Sequence, residues 1–286
     1  MTLQTIKDIL KKENLAPSKK LGQNFLIHRQ TAARIVSLAE VTENDIIVEL
    51  GVGLGALTGP LAEKAGRVIG LEIDSGIIAW QQTKGNLAEN VTLLHQDLLK
   101  ADFGELAQQC GGRLKIIANL PYSISNPLLF KLLDNRQVME WAVLMLQKEV
   151  AERLTAAPGT KEYGILSVLM AGSASVTRLL DVGPGQFHPR PKVDSIVVKI
   201  LFYPQPPRVT ALPDHDHNLL RKIVKSAFQK RRKTLLNSLS TSPFITYDKE
   251  TIRQALSAAG IDPSIRAERL GIEEFITLTC VMEKIG

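Results

Sequence analysis

Asn119-Leu120-Pro121-Tyr122 joins, in four residues, groups suited to chemistry on a conjugated amine. The lone pair of an exocyclic amino nitrogen is delocalised into its ring, so the nitrogen is a weak nucleophile. The oxygen of an Asn side chain and a nearby backbone carbonyl can accept its two N–H bonds. That orients the nitrogen and favours a lone pair aimed at an alkyl donor. Pro121 fixes the local backbone and confines Leu120 to an extended conformation. Tyr122 offers a flat face on which a base can stack, worth about 1–3 kcal/mol. A base engaged this way must leave its stack, which implies a flipped or single-stranded nucleotide.

Further upstream, Glu49-Leu50-Gly51-Val52-Gly53-Leu54-Gly55 places glycines at alternate positions. Such a loop turns tightly and lets the backbone approach a ligand. The third glycine comes at an interval of two rather than three, a departure from the dinucleotide fingerprint. The spacing disfavours a nicotinamide-dependent dehydrogenase and fits a nucleoside with no pyrophosphate. Glu72, twenty-one residues after Gly51, can accept hydrogen bonds from both hydroxyls of a ribose. Asp97 follows the next apolar run and could accept from an adenine amino group. Phe187 stands in the Pro-rich segment Gly185–Lys192, where it could supply the opposite face of a base clamp or tuck into the core, and Arg190 and Lys192 could meet phosphate or be solvated. No Cys or Ser with a positioned base points to covalent catalysis, and His215 and His217 read as a solvated linker pair.

Residues 221–233, RKIVKSAFQKRRK, hold seven basic residues and no acid. A run this dense must be solvated or face an anion. Within it, Lys225, Lys230, Arg231, Arg232 and Lys233 are the candidates for contact with an anion such as a nucleic-acid backbone. Lys19 and Lys20 form a smaller cluster.

These residues need a scaffold. Compact apolar runs at 46–50, 67–72, 91–95, 114–118 and 141–146 alternate with helical patterns such as 57–65 and 75–87. The alternation predicts an α/β fold with a parallel sheet covered on both faces, and the functional residues then fall at successive strand ends. Two later runs, 175–180 and 195–202, follow a helical stretch at 166–171 and read as an antiparallel pair closing the sheet. Four prolines between 203 and 214 suggest a semi-rigid linker. Only helical patterns follow: 217–229, 233–240, 248–259 with Asp248 as N-cap and Gly260 as stop, and 267–284. Two domains are therefore expected, 1–210 and 211–286, the second a helical RNA-docking unit.

The 286 residues carry 35 Lys and Arg against 29 Asp and Glu, a formal charge of +6, with 44% hydrophobic residues. That excludes global disorder. No apolar run approaches the roughly 20 residues of a membrane span, and the N-terminus resembles neither a secretory signal nor a transit peptide. Cys110 and Cys280 cannot make a four-ligand zinc site alone, and a disulfide is not expected. The expectation is a cytoplasmic monomer with no membrane and no metal. A charge of +6 on this length permits a nucleic-acid partner without requiring one.

Eight segments together carry a family resemblance: LGQNFL (21–26), ELGVGLGALT (49–58), LEID (71–74), QDLL (96–99), NLPYSISNP (119–127), QKEVAERL (147–154), YGILSV (163–168) and FHPRPKVDS (187–195). The chain resembles the KsgA-type small-subunit ribosomal RNA adenine dimethyltransferases over nearly its whole length. The resemblance implies a class I methyltransferase fold, Rossmann-like, with a mostly parallel seven-stranded sheet whose last strand is antiparallel. It implies S-adenosylmethionine as cofactor, with Asn24, Leu26 and Gly53 as contacts, Gly51 against its amino-acid part, Glu72 on the ribose and Asp97 on the adenine. Asn119 would touch both cofactor and target amine, Leu120 would offer a backbone carbonyl, and Tyr122 and Phe187 would sandwich the base. The implied reaction is dimethylation at N6 of two adjacent adenines near the 3′ end of small-subunit rRNA, inside a pre-30S particle, with a role in subunit maturation. A macrolide-resistance type methyltransferase of large-subunit rRNA shares the Asn-x-Pro-Tyr logic, and a non-catalytic assembly factor shares the fold. The LGQNFL, QKEVAERL and YGILSV stretches argue against the first, and intact Asn119 and Tyr122 against the second. Val52 stands where the family usually has proline, and its missing ring is expected to loosen the loop slightly.

Overall fold

A computed structural model describes residues 3–13, 15, 22–84, 87–202, 214–230 and 232–285. The expected linker at 203–213 lies outside the described residues, as do Lys19, Lys20, Leu21 and Arg231.

By contacts the chain forms two compact units, residues 1–151 with 176–203, and residues 152–175 with 204–286. The first opens with α1 (Leu3–Lys12), β1 (Phe25–Leu26) and α2 (Arg29–Leu38). It continues through β2 (Ile46–Leu50), α3 (Thr58–Ala62), β3 (Arg67–Glu72), α4 (Ser75–Lys84), β4 (Val91–His95) and α5 (Phe103–Gln109). Then come β5 (Leu114–Asn119), α6 (Ser125–Asp134) and β6 (Met139–Gln147). After α7 (Lys148–Leu154) and α8 (Ile165–Ala171), the chain returns as β7 (Ala174–Val182), β8 (Phe187–His188) and β9 (Ser195–Phe202).

Seven strands form one sheet in the order β4-β3-β2-β5-β6-β9-β7. β4, β3, β2, β5 and β6 are mutually parallel, and β9 runs antiparallel to β6, with Trp141 opposite Leu201 and Gln147 opposite Ser195. The central strands are apolar without alternation because helices cover both faces. Ile47, Val68, Ile117, Val143 and Val197 meet Ile35, Val36 and Leu61 in a single buried cluster. Strand limits 46–50, 67–72, 91–95 and 195–202 agree with the sequence reading to the residue.

The helical unit holds α8 with α9 (His217–Ala227), α10 (Leu235–Ser240), α11 (Lys249–Ala258) and α12 (Ile272–Glu283). The Asp248 carboxylate accepts from the amides of Glu250 and Thr251, both at 2.9 Å, and caps α11. Gly260, at φ +70°, ends it. The expected division at 210/211 needs correction, because residues 152–175 join this unit. The Tyr163 hydroxyl donates to the Leu270 carbonyl at 2.6 Å, and its ring meets Phe228 edge-on, which in turn lies beside Phe275. Leu166, Val168 and Met170 of α8 are buried, and Gly172 gives room for the Ile272 side chain. An apolar segment too short to form a core of its own thus completes that of the C-terminal helices. No helix of the described residues is long and apolar enough to cross a membrane.

Candidate functional site

Strand order reverses between β2 and β5. From β2 the chain builds outward to β3 and β4, and from β5 outward to β6, β9 and β7. In open α/β sheets ligands bind outside the carboxyl ends of the strands at such a point. There lies an open, mostly apolar cavity with a few convergent polar groups, the kind of concavity that takes a small molecule. It brings together eight of the expected residues: Gly51 and Gly53 after β2, Glu72 at the end of β3, Asp97 after β4, Asn119 and Pro121 after β5, and Asn24 and Leu26 from the N-terminal segment.

The loop after β2 is shaped by main-chain demands. Gly51, Gly53 and Gly55 all have left-handed φ, at +82°, +52° and +79°. A Cβ on Gly51 would project into open space, whereas one on Gly53 would press on the Phe25 ring at 3.3 Å. Glu72 is 6% exposed and is engaged by the backbone. Its Oε2 accepts from Gly53 N at 2.9 Å, and its Oε1 from Ile73 N and Asp74 N at 2.9 and 3.0 Å. One carboxylate therefore pins two loops, and lone pairs of Oε2 remain for a further donor. The Asp97 Oδ1 accepts from Leu99 N at 2.9 Å, and Lys131 braces the same turn by donating to the Leu99 carbonyl at 2.7 Å.

Val52 is buried and sits over Gly70, so close that a Cβ there would meet its Cγ2 at 2.5 Å. Val52 N donates to the Leu71 carbonyl at 3.3 Å, beside the Gly51 N bond of 2.9 Å. Proline has no such hydrogen. The loop gains a bond where it loses a ring, which counters the expected loosening.

Several groups here escaped the sequence reading. Glu49 is fully buried and lines the cavity, and Thr58 donates to its Oε2 at 2.7 Å. Burial, helped by the nearby charge of Glu72, pushes its pKa up to about 8. A lone acid inside the apolar run IIVEL was the available signal. Gln81, 2% exposed on α4, donates to the Gly53 carbonyl at 2.9 Å. Ile73 and Leu99 are exposed apolar side chains at the cavity wall, with Leu98 beside them. Helix α1 was also missed, although Ile6, Ile9 and Leu10 repeat at helical spacing. Ile6 and Leu10 pack with Phe25, Ile27, Leu54 and Ile77 over the glycine loop.

At β5 the Asn119 Nδ2 donates to the Asn24 carbonyl at 3.1 Å. A carbonyl only accepts, so the amide is oriented and Oδ1 is its uncommitted end. Asn24 acts here through its backbone. Its neighbours Phe25 and Leu26 pair antiparallel with β8, Phe25 opposite His188 and Leu26 opposite Phe187. Two motifs far apart in sequence thus form one short ribbon.

The remaining expected site residues do not line the cavity. Leu120 is buried. Tyr122 is half-buried, its hydroxyl 2.8 Å from Ser195 Oγ, and burial raises its pKa. Phe187 is only 3% exposed, packed with Leu26, Met145, Val182 and Val197. It is a core residue in this state rather than a ring held out in a loop. Of the basic run, Lys225 is half-exposed on α9, and Lys230, Arg232 and Lys233 are exposed after it. Among the described residues no group of three or more His, Cys, Asp or Glu is placed to hold a metal ion.

Comparison with known proteins gives this cavity its context. "Ribosomal RNA small subunit methyltransferase A" of Desulfotalea psychrophila is 51% identical over 282 residues, covering 96% of this chain and 94% of that protein. Its namesake in Syntrophus aciditrophicus is 43% identical over 274 residues, 96% of each. The crystal structure of a dimethyladenosine transferase from Plasmodium falciparum matches with a TM-score of 0.74 at 26% identity, over 91% of this chain and 98% of that one. The 23S rRNA methyltransferase ErmE shares the fold, with a TM-score of 0.63 at 23% identity, over 91% of this chain and all of that one. Residues 14–284, from the segment before β1 to the end of α12, match the family model for ribosomal RNA adenine dimethylase, and the chain belongs to that family.

Proposed function

We propose that this protein dimethylates adenine in small-subunit ribosomal RNA, using S-adenosylmethionine. In finer detail, its targets are the N6 atoms of two adjacent adenines near the 3′ end of that RNA. The substrate is the pre-30S particle, and the enzyme acts as a cytoplasmic monomer during subunit biogenesis.

The observation that carries the reading is the Asn119 amide, whose N–H is committed to Asn24 while Oδ1 remains an acceptor at the cavity. An acceptor fixed there can hold one N6–H, and the Leu120 carbonyl can take the other. The nitrogen lone pair is then directed away from the ring plane. Pro121, directly after Leu120, fixes the backbone that carries the two acceptors. Tyr122, tethered by Ser195, supports the base by stacking. Phe187 reaches a base only by its edge or after β8 shifts, because its ring is packed in the core.

The cavity fits the cofactor. Gly51 leaves space that any side chain would fill. Glu72 keeps lone pairs for ribose hydroxyls, and Asp97 lines the cavity together with the apolar Ile73 and Leu99, a set that suits the edge and faces of an adenine. When bound, S-adenosylmethionine supplies a methyl group already activated by its sulfonium charge. Orientation of the amine by Asn119 and Leu120 is then the protein's main contribution. In the helical unit, Lys225, Lys230, Arg231, Arg232 and Lys233 serve as phosphate contacts.

The test is mass mapping of methylated adenines in undermethylated small subunits incubated with the protein and labelled cofactor. Two neighbouring dimethyladenines near the 3′ end are expected. Label at other positions of that RNA, or no label, would overturn the reading.

A further inference from the structure

The helical unit displays an aromatic ring beside the proposed phosphate contacts. Of the eight phenylalanines, Phe244 alone is exposed, at 45%. A single exposed apolar residue is ordinary. This one, however, is held in place and set among cations.

Its position is fixed by a hydrogen-bond chain. Phe244 N donates to Ser242 Oγ at 3.1 Å, Ser242 Oγ donates to Ser226 Oγ at 2.7 Å, and Ser226 Oγ donates to the Lys222 carbonyl at 2.7 Å. Ser226 lies on α9, so the turn between α10 and α11 is tied to the helix bearing the basic run. The next residue, Ile245, is buried and anchors the turn from inside. The Lys225 Nζ stands 6.0 Å from the ring centroid. Lys230 reaches the same turn, with Nζ 3.4 Å from Thr241 Oγ1. Among the described residues neither lysine makes an ion pair, so both charges remain available to an anion.

We propose that Phe244 and Lys225 form a stacking seat for one unpaired base of the RNA, with Lys225 and Lys230 taking the phosphates beside it. An aromatic face next to uncompensated lysines matches a single-stranded nucleotide, whose base has a π face and whose backbone is anionic. A protein partner would match the ring but not the charge. The inference rests on the reading that the helical unit docks RNA, and it adds a bulged or single-stranded element to a surface that charge alone would describe as a phosphate track.

The test compares full-length variants for binding to undermethylated small subunits at several salt concentrations. Phe244→Ala and Phe244→Leu are each expected to weaken binding about 5- to 100-fold, with the slope of log K against log salt unchanged. Phe244→Trp is expected to retain binding. Lys225→Gln with Lys230→Gln is expected to flatten the salt slope. A labelled single-stranded oligoadenylate should lose affinity with Phe244→Ala, and a blunt RNA duplex should not. Full affinity in Phe244→Leu would overturn the seat, since apolar area without a ring would then suffice, as for a protein contact. If Phe244→Ala is silent while the lysine variant flattens the slope, the stacking seat falls and RNA docking stands. If both are silent, RNA docking by this surface falls with it.

Discussion

The candidate cofactor cavity of the sheet unit and the basic face of the helical unit are built for recognition by opposite means. In the cavity, polar groups are buried or half-buried and already bonded to the protein. Glu72 is held by three backbone amides, Asn119 by the Asn24 carbonyl, and Glu49 by Thr58. Little ordering remains when a ligand arrives, so the site favours geometry. On the basic face, Lys230, Arg232 and Lys233 are exposed on long flexible side chains. As the proposed phosphate contacts they would gain affinity from released counterions and confer little geometry. Damage to the first region should therefore appear in turnover and fold stability, and damage to the second in binding and its salt dependence.

The hardest test of that division is Asn119→Ala. Loss of a positioned acceptor is expected to lower turnover on the order of 10²–10³-fold or more, with binding to small subunits nearly unchanged. Equal losses in both would erase the distinction, and unchanged turnover would remove Asn119 from the chemistry.

Glu49 offers a test through pH. Its folded pKa of about 8 lies above the ordinary carboxyl value of 4.5, so the native state holds this proton after the unfolded chain has released it. Stability from this group is complete below pH 4.5 and falls as pH rises towards 8. Glu49→Gln removes the titration while keeping an acceptor for Thr58. Its stability relative to wild type should rise with pH, reaching on the order of 4 kcal/mol at pH 8 and above. Denaturant midpoints across pH 5–9 read this directly, and parallel profiles would show that Glu49 does not carry the proton.

Tyr122→Ala is expected to cost about 1–3 kcal/mol in kcat/KM if the ring stacks on the base, whereas Tyr122→Phe should retain most of it. A loss confined to cofactor affinity would place the ring elsewhere. The smallest effect belongs to the basic face. Replacing Lys230, Arg232 and Lys233 with Gln should shallow the salt slope by roughly 0.7 for each phosphate no longer neutralised, with turnover at saturating substrate preserved. An unaltered slope would mean these side chains face only solvent.

The two regions also differ in how legible they were in the sequence. Strands such as IIVEL and VTLLH announce themselves through local apolar runs, and their ends delivered Gly51, Glu72, Asp97 and Asn119 to one cavity. What stayed hidden depends on pairing between distant segments. A two-residue strand has no period, so the ladder between Leu26 and Phe187 was invisible, and with it the burial of Phe187. The membership of residues 152–175 was hidden for the same reason, because Tyr163 finds its partners at Leu270 and Phe228. Helix α1 and Glu49 are different cases, since each left a local trace. The first showed periodic apolar residues and the second a charge within an apolar run.

The ribbon of β1 and β8 has a mechanical consequence. Asn24, whose carbonyl sets the Asn119 amide, immediately precedes Phe25 and Leu26, which are laddered to Phe187 and His188. Displacing either strand must break that ladder or drag its neighbour along. If the site works as proposed, admission of the methyl donor and seating of the target base would not be independent events, since the two doorposts share one hinge-leaf.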